Sequence, residues 1–259
     1  METISLIGAG NLATRLGLAL TAAGYRIAGV FSRTMGSART LAAALHCEAT
    51  DDLSTLPAAD VHLFSVTDTA LPLLAARWGT MHPGSFCLHT AGSMPMTVFE
   101  GHAGRYGVLY PMQTFSKTRD VDFSAIPCFV EGSDAQALRE ATRLALSVSK
   151  RVIPMPGEKR RWLHLAAVFA CNFTNHCYDI AGRLLQAHGI SEDVLLPLID
   201  ETAAKVHDMP PGKAQTGPAV RFDQNVIERH LRMLASCPEL QEIYTALSRH
   251  IHSYAQKND

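Results

Sequence analysis

The sequence has no basic run, no long apolar run and no paired-cysteine motif, and each absence removes a class of function. Its 23 Lys and Arg stand against 24 Asp and Glu, a formal net charge of −1. The two signs are mixed along the chain, with no basic face to neutralise phosphates, so no nucleic-acid partner is expected. No apolar stretch reaches the roughly 18 residues that a spanning helix needs, so no membrane partner is expected either. The first residues lead straight into a strand and a glycine loop, without the basic segment, apolar stretch and cleavage site of a signal peptide. The six cysteines (Cys47, Cys87, Cys128, Cys171, Cys177 and Cys237) are scattered without a CxxC pair. Reduced thiols and a cytoplasmic location follow as the expectation. No metal is expected: His164, Cys171, His176 and Cys177 form the densest ligand group, but one helix cannot converge all four.

What is present is enough apolar residue to build a core: 47% hydrophobic against 18% charged over 259 residues. That length suits two domains of roughly 100–150 residues each. The first half alternates β runs with helical patterns. Residues 4–7, 26–31, 61–66 and 86–89 read as strands, with 11–23 and 37–45 as intervening helices. Residues 107–110, 127–130 and 152–153 extend the sheet. Ser133 opens a capping-box pattern for a helix running to about Ser147. Nearly continuous apolar strands and βαβ alternation predict an α/β fold, a doubly wound, mainly parallel sheet of Rossmann type. After Pro154-Met155-Pro156-Gly157 the pattern turns helical, over 158–188, 191–207, 224–235 and 239–254. The division is read as 1–155 for a Rossmann domain and 156–259 for an all-α domain.

Gly8-Ala9-Gly10-Asn11-Leu12-Ala13 fits G-x-G-x-x-G/A in the required setting, after a strand and opening a helix. Gly8 permits the tight turn, Gly10 lets the backbone approach a pyrophosphate, and Ala13 keeps helix and strand close. Gly8, Gly10, Asn11 and Leu12 are therefore expected at the pyrophosphate, facing a helix N-terminus. An NAD site usually carries a carboxylate at the end of the second strand. Here Ser32-Arg33-Thr34 stands in that place: Arg33 can pair with a 2′-phosphate in bidentate fashion, while Ser32 and Thr34 donate hydrogen bonds. NADP is the expected cofactor.

Ligands of open α/β sheets bind outside the carboxyl ends of the strands, where three polar clusters fall. Val66 ends the third long strand and Thr67 and Asp68 follow it, although Asp68 reads equally as a helix N-cap. His89, Thr90, Ala91 and Ser93 follow the next. Tyr110 and Gln113 follow the one after. Val66, Thr67, Thr90 and Ala91 are expected against the cofactor, and His89, Ser93, Tyr110 and Gln113 against a substrate.

In the helical half, a polar stripe runs along 158–188. At 100° per residue, Asn175 and Cys171 fall about 20° to either side of His164, Asp179 about 60° away and Asn172 about 80°. His164 suits an acid/base near neutral pH, with Asn172 or Asn175 orienting the reacting group. A helix–helix or subunit interface is the plainer reading of the same stripe. Arg221 could clamp a substrate carboxylate or phosphate, and Asp223 reads as the N-cap of the next helix.

Taken together, these stretches resemble the Rossmann-like bacterial proteins with a C-terminal domain of unknown function 2520. The resemblance rests on 8–13, 32–34, 89–93, 110–115, 164–175 and 216–223, and it extends over essentially the whole chain. That family looks like a branch of the wider group of pyrroline-5-carboxylate reductase, ketopantoate reductase, 3-hydroxyisobutyrate dehydrogenase, 6-phosphogluconate dehydrogenase and prephenate dehydrogenase. The resemblance implies NADP binding, a cleft between the domains and a helical domain that forms a homodimer; it supplies no substrate. The chain departs from the hydroxyacid dehydrogenases in having no lysine along the 158–188 helix beyond Lys159, and from prephenate dehydrogenases in placing Tyr110 where their His-Pro-Met has histidine. The expectation is an NADP-dependent oxidoreductase acting on a small, carboxylate-bearing molecule. The alternatives are a non-catalytic NADP(H) sensor and a prephenate-type dehydrogenase.

Overall fold

The computed structural model describes residues 2–257. Met1, Asn258 and Asp259, the outermost residues of the two expected domains, lie outside that range. The chain divides into two compact units, Met1–His176 and Cys177–Asp259.

The first unit is built on an eight-stranded sheet in the order β3-β2-β1-β4-β5-β6-β7-β8. Its strands are β1 (Thr3–Ile7), β2 (Arg26–Phe31), β3 (Glu48–Thr50), β4 (Val61–Phe64), β5 (Phe86–His89), β6 (Arg105–Pro111), β7 (Cys128–Gly132) and β8 (Val152–Pro154). The first six are parallel. Strand order reverses between β1 and β4, and that reversal opens the crevice in which dinucleotides bind in doubly wound folds. The helices are α1 (Asn11–Ala22), α2 (Met35–Leu45), α3 (Leu71–Met81), α4 (Ala135–Leu146) and α5 (Gly157–Ala167). The Rossmann reading of the sequence is confirmed, with β3 as a strand too short for its apolar pattern to announce.

Side chains alternate across each strand, so the sheet feeds two cores. Ile4, Leu6, Val30, Leu63 and Leu88 face α1, α2 and α4, packing with Leu16, Leu41 and Leu144. Ile7, Phe31, Phe64 and Cys87 face the other way, where Leu71 and Trp78 of α3 and Phe99 cover them. Farther along that second face, Val108, Tyr110 and Phe129 lie under Leu163 of α5.

β7 runs antiparallel to β6, and β8 follows β7. This reversal decides where α5 points: it starts beside Glu131, near the lower end of β7, and climbs back to the carboxyl edge of β1–β6. α4 is capped by Asp134, whose carboxylate accepts from the Gln136 and Ala137 amides. Ser133, the expected cap, instead accepts from the Tyr106 amide at 3.1 Å and ties α4's entry to β6.

The single helix expected over 158–188 is interrupted. α5 passes into a π-helical segment, Val168–Phe173, and then into α6 (Thr174–Gln186). The Thr174 hydroxyl donates to the Phe169 carbonyl at 3.1 Å, five residues back, in step with the wider turn.

In the second unit, a 3-10 turn at Glu192–Leu195 leads into α7 (Leu196–Asp208). Then come α8 (Pro211–Ala214), α9 (Pro218–Arg221), α10 (Gln224–Met233) and α11 (Pro238–Ala255). Asp223 caps α10 through the Val226 amide, as its position suggested. Of residues 177–257 only Gly182 and Ser248 are buried. Cys87 and Cys128 lie in the core of the first unit, whereas Cys177 and Cys237 are exposed. Among the described residues no helix is long and apolar enough to cross a membrane, and no group of three or more His, Cys, Asp or Glu could hold a metal ion.

Candidate functional site

A cleft of about 890 Å3 runs along the carboxyl edge of the first unit, from Arg33 and Ser37 past the glycine loop to Tyr110 and His164. Gly8 forms its floor. It has φ +119°, and a Cβ there would stand 2.0 Å from the Ser65 carbonyl oxygen, so no other residue fits between β1 and β4. Gly10 differs: a Cβ on it would meet no protein atom within 4 Å. No protein atom there requires glycine, so the space a side chain would fill is open to a ligand in the cleft. Gly10 is also the N-cap of α1, with no side-chain cap and no acidic residue in the first turn. Gly10, Asn11 and Leu12, which open that turn, line the cleft, and the first-turn amides of a helix have no intrahelical partner, as an anion site requires. The Asn11 side-chain amide donates to the Phe115 carbonyl at 2.9 Å.

Ser32, Arg33 and Thr34 stand together at the far end, beyond β2. Arg77 and Asp51 share that end, but Arg77 is paired with Asp52 at 3.1 Å. Arg33 is exposed and makes no ion pair among the described residues, which leaves its guanidinium available to a phosphate. The Thr34 hydroxyl donates to Ser37 Oγ at 2.9 Å. These residues fit a dinucleotide bearing a 2′-phosphate.

The opposite end gathers residues from four elements. Val66, Thr67 and Asp68 follow β4; Thr90, Ala91, Gly92 and Ser93 follow β5. Asp68 does not cap α3, whose N-cap is Ala70; its carboxylate accepts from the Ser93 hydroxyl and bridges the two loops. Tyr110 comes from β6 and His164 from α5, with Tyr110 Oη 3.2 Å from His164 Nδ1. Gly92 makes that approach possible, because a Cβ there would lie 2.7 Å from His164 Nδ1 and 2.8 Å from Tyr110 Cζ. Burial raises the Tyr110 phenol above its ordinary value, while the Arg160 guanidinium pulls the other way.

Several expected site residues lie elsewhere. His89 is fully buried and does not reach the cleft. It is the last residue of β5, two positions after Cys87, so alternation turns it onto the same core face, beside Phe99 at a ring distance of 5.8 Å. Its Nδ1 accepts from the Ala91 amide at 3.2 Å, so it shapes the loop rather than touching a ligand. Burial, then Arg160, depress its pKa to about 3, with the Pro95 carbonyl opposing them. Gln113 is exposed, outside the cleft lining, with its side-chain carbonyl on the Thr114 amide at 2.8 Å. Asn172 and Asn175 are also exposed and outside the lining. The stripe that would have joined them to His164 assumed 100° per residue, and the wider turns of Val168–Phe173 break that phase. Arg221 ends α9, exposed, in the second unit.

Arg160 was missed. A charged residue one turn before His164 on a helix reads as solvated, yet it is 1% exposed. Only the fold, which folds α5 over β7, reveals its burial.

Comparison with known proteins agrees with this architecture. The domain of unknown function (DUF2520) matches residues 126–251, and the family described as NADP oxidoreductase coenzyme F420-dependent matches residues 3–86. The crystal structure of BF3122 from Bacteroides fragilis, provisionally named an NADP oxidoreductase, is 50% identical with a TM-score of 0.93, covering 97% of this chain and 98% of that one. Protein TM1727 from Thermotoga maritima shares the fold at 22% identity and a TM-score of 0.70, over 98% of this chain and 99% of its own. A pyrroline-5-carboxylate reductase from Coxiella burnetii does so at 16% identity and a TM-score of 0.59, over 99% and 98%. No curated protein matches the sequence. With half its residues identical to BF3122 over nearly the full length of both, the chain belongs to the NADP oxidoreductase family whose Rossmann half is followed by the domain of unknown function (DUF2520).

Proposed function

We propose that this protein is an NADP-dependent oxidoreductase that reduces or oxidises a small molecule seated against Tyr110 and His164. The observation that carries the reading is the hydrogen bond between these two residues at the end of a cleft whose other end fits a phosphorylated dinucleotide. The cofactor, when bound, supplies or accepts the hydride. The residues supply the proton. The protonated phenol of Tyr110 donates to His164 Nδ1, which leaves the imidazole proton on Nε2. In reduction, Nε2 gives its proton to the substrate oxygen or nitrogen as hydride reaches the adjacent carbon. Nδ1 takes the Tyr110 proton, and the relay resets when solvent protonates Nε2 and Nδ1 returns its proton to the phenolate. Oxidation runs the same transfers backward. Asp68 and Ser93, linked across the two loops, close the same end of the cleft.

The carboxylate of the expected substrate is a finer part of this proposal. Among the described residues no unpaired Arg or Lys lines the Tyr110–His164 end of the cleft, so the carboxylate is the part of the proposal that the keto acid screen below decides. A homodimer through the helical unit completes the reading. Val194, Leu196, Leu198, Val206 and Met233 are all exposed there, and a helical unit with two buried residues needs a partner surface to form a core.

The test is titration with NADPH and NADH, followed by nicotinamide fluorescence. Arg33→Ala is expected to weaken NADPH binding about ten- to a hundred-fold, the worth of a charge-assisted pair, and to leave NADH unchanged. Equal binding of both cofactors by the wild-type protein would overturn the NADP assignment. A keto acid and imine screen with NADPH then gives the substrate, on which His164→Ala and Tyr110→Phe should both lose turnover.

A further inference from the structure

Arg160 and Glu131 form an ion pair in which Arg160 is 1% and Glu131 17% exposed. Three elements meet in it. Arg160 Nη1 donates to Glu131 Oε2 on β7, and Arg160 Nη2 donates to the Met94 carbonyl, in the loop after β5, at 2.6 Å. Glu131 Oε1 accepts from the Gly157 amide at 2.9 Å, at the first turn of α5. A carboxylate there also complements the helix dipole. The pair therefore fixes the root of α5 to the sheet and to the loop that carries Gly92 and Ser93. His164 stands one turn farther along the same helix, where Gly92 leaves no slack.

Stability alone is a poor reason for this pair. A buried ion pair contributes little net stability compared with apolar residues of the same shape, and Arg160 Nε is buried without a hydrogen-bond partner among the described residues. A buried group left unsatisfied in this way calls for another explanation. Glu131, which holds the guanidinium, stands opposite Val108 on β6, two residues before Tyr110 and on the same face of the sheet, so the fixed positive charge lies beside the phenol and favours its ionised form against the effect of burial. The proton relay described above leaves a phenolate on Tyr110, and a fixed positive charge is what such a phenolate needs.

We propose that Arg160, held by Glu131 and the Met94 carbonyl, is the positioning residue of the Tyr110–His164 pair: it sets the distance between them and offsets the charge left on Tyr110. This rests on the relay reading of the site. It places Arg160 outside the cleft, acting through its neighbours.

The test needs no substrate. Tyrosine labelled with 13C at Cζ, with Tyr110 assigned through Tyr110→Phe, reports ionisation of the phenol. Histidine 15N shifts report which nitrogen of His164 carries the proton. The double variant Arg160→Met/Glu131→Gln removes both charges and avoids a lone buried one. Its Tyr110 titration is expected to move upward in pH, and its His164 to lose the fixed Nε2 proton, while NADPH affinity stays at the wild-type value. Arg160→Lys, the second variant, keeps the charge but loses the fork. It should leave the Tyr110 titration in place and release only the His164 tautomer. An unmoved Tyr110 titration in the folded double variant, or an upward move in Arg160→Lys equal to that of the double variant, would overturn the proposal. So would a parallel loss of NADPH affinity, which marks general loosening. If Tyr110 moves as expected but Tyr110→Phe retains full turnover on an identified substrate, the positioning stands and the relay reading fails.

Discussion

At the scale of single residues, Gly8 and Gly10 respond differently to the same added methyl. Gly8→Ala drives Cβ into the Ser65 carbonyl at a positive φ, a clash expected to cost on the order of 3 kcal/mol and visible as a lower Tm. Gly10→Ala meets no protein atom and loses only the preference of a helix N-cap for glycine over alanine, so its Tm should fall far less than that of Gly8→Ala while NADPH affinity falls about ten-fold, or about 1.4 kcal/mol. A Gly10→Ala protein that binds NADPH normally would show that no ligand comes close to this turn.

His62 and His89 set a second expectation at this scale. Burial, then the neighbouring His82, depress His62 to about 4, against the opposing Ala59 carbonyl and Asp60, and His89 lies at about 3. Both rings are neutral in the fold and take protons more readily when it opens. Their contribution is complete above the unfolded value of 6.5 and is lost as pH falls from there toward 4 and 3. Each pH unit between folded and unfolded values is worth about 1.4 kcal/mol. The Tm should therefore drop across that acid window, and His62→Leu should flatten part of the slope in a pH series of thermal melts.

At the scale of elements, the loop after β6 is tied to α1. Arg15, 9% exposed, donates from Nε to the Ser116 carbonyl at 2.9 Å and from Nη2 to the Lys117 carbonyl at 2.7 Å. It also pairs with Asp120. Arg15→Met keeps the stem and removes the fork. Amide hydrogen exchange over 115–120 should then quicken about ten-fold, reflecting roughly 1–2 kcal/mol of local stability; unchanged exchange would mean the loop is held by Phe115 and Phe123 stacking instead.

Elements also show what the sequence could and could not convey. The strands, the glycine loop and Ser32-Arg33-Thr34 were legible because period and turn chemistry are local properties. His89 ends a run that points to the ligand edge, yet its parity with Cys87 sends it inward. Asn172 and Asn175 were misplaced because a π-helical segment leaves no mark in a pattern measured at a fixed angle. Arg160 was invisible because its burial depends on β7 running against β6, a long-range fact. Tyr110 and His164 were each noticed, but nothing in the chain joined them; 54 residues separate them, and the contact follows from the climb of α5.

At the scale of the molecule, the exposed apolar residues of the second unit predict association. Sedimentation should show a dimer at micromolar concentration, and Leu198→Glu, at a position 64% exposed, should favour the monomer and make the Tm depend on concentration. A monomer in the wild type at all concentrations would sink the homodimer.

The placement of the thiols bears on how that experiment is handled. Cys87 and Cys128 are buried, with their thiols pushed up to about 12 and about 11 by that burial, and a thiol that does not ionise is slow to oxidise. Cys177 and Cys237 are exposed, and both belong to the unit expected to meet its copy. In aerated buffer they are the sulfurs most open to crosslinking between chains, and a disulfide there would counterfeit the association it accompanies. Alkylating these two before centrifugation leaves the cleft residues untouched and makes any remaining dimer a non-covalent one.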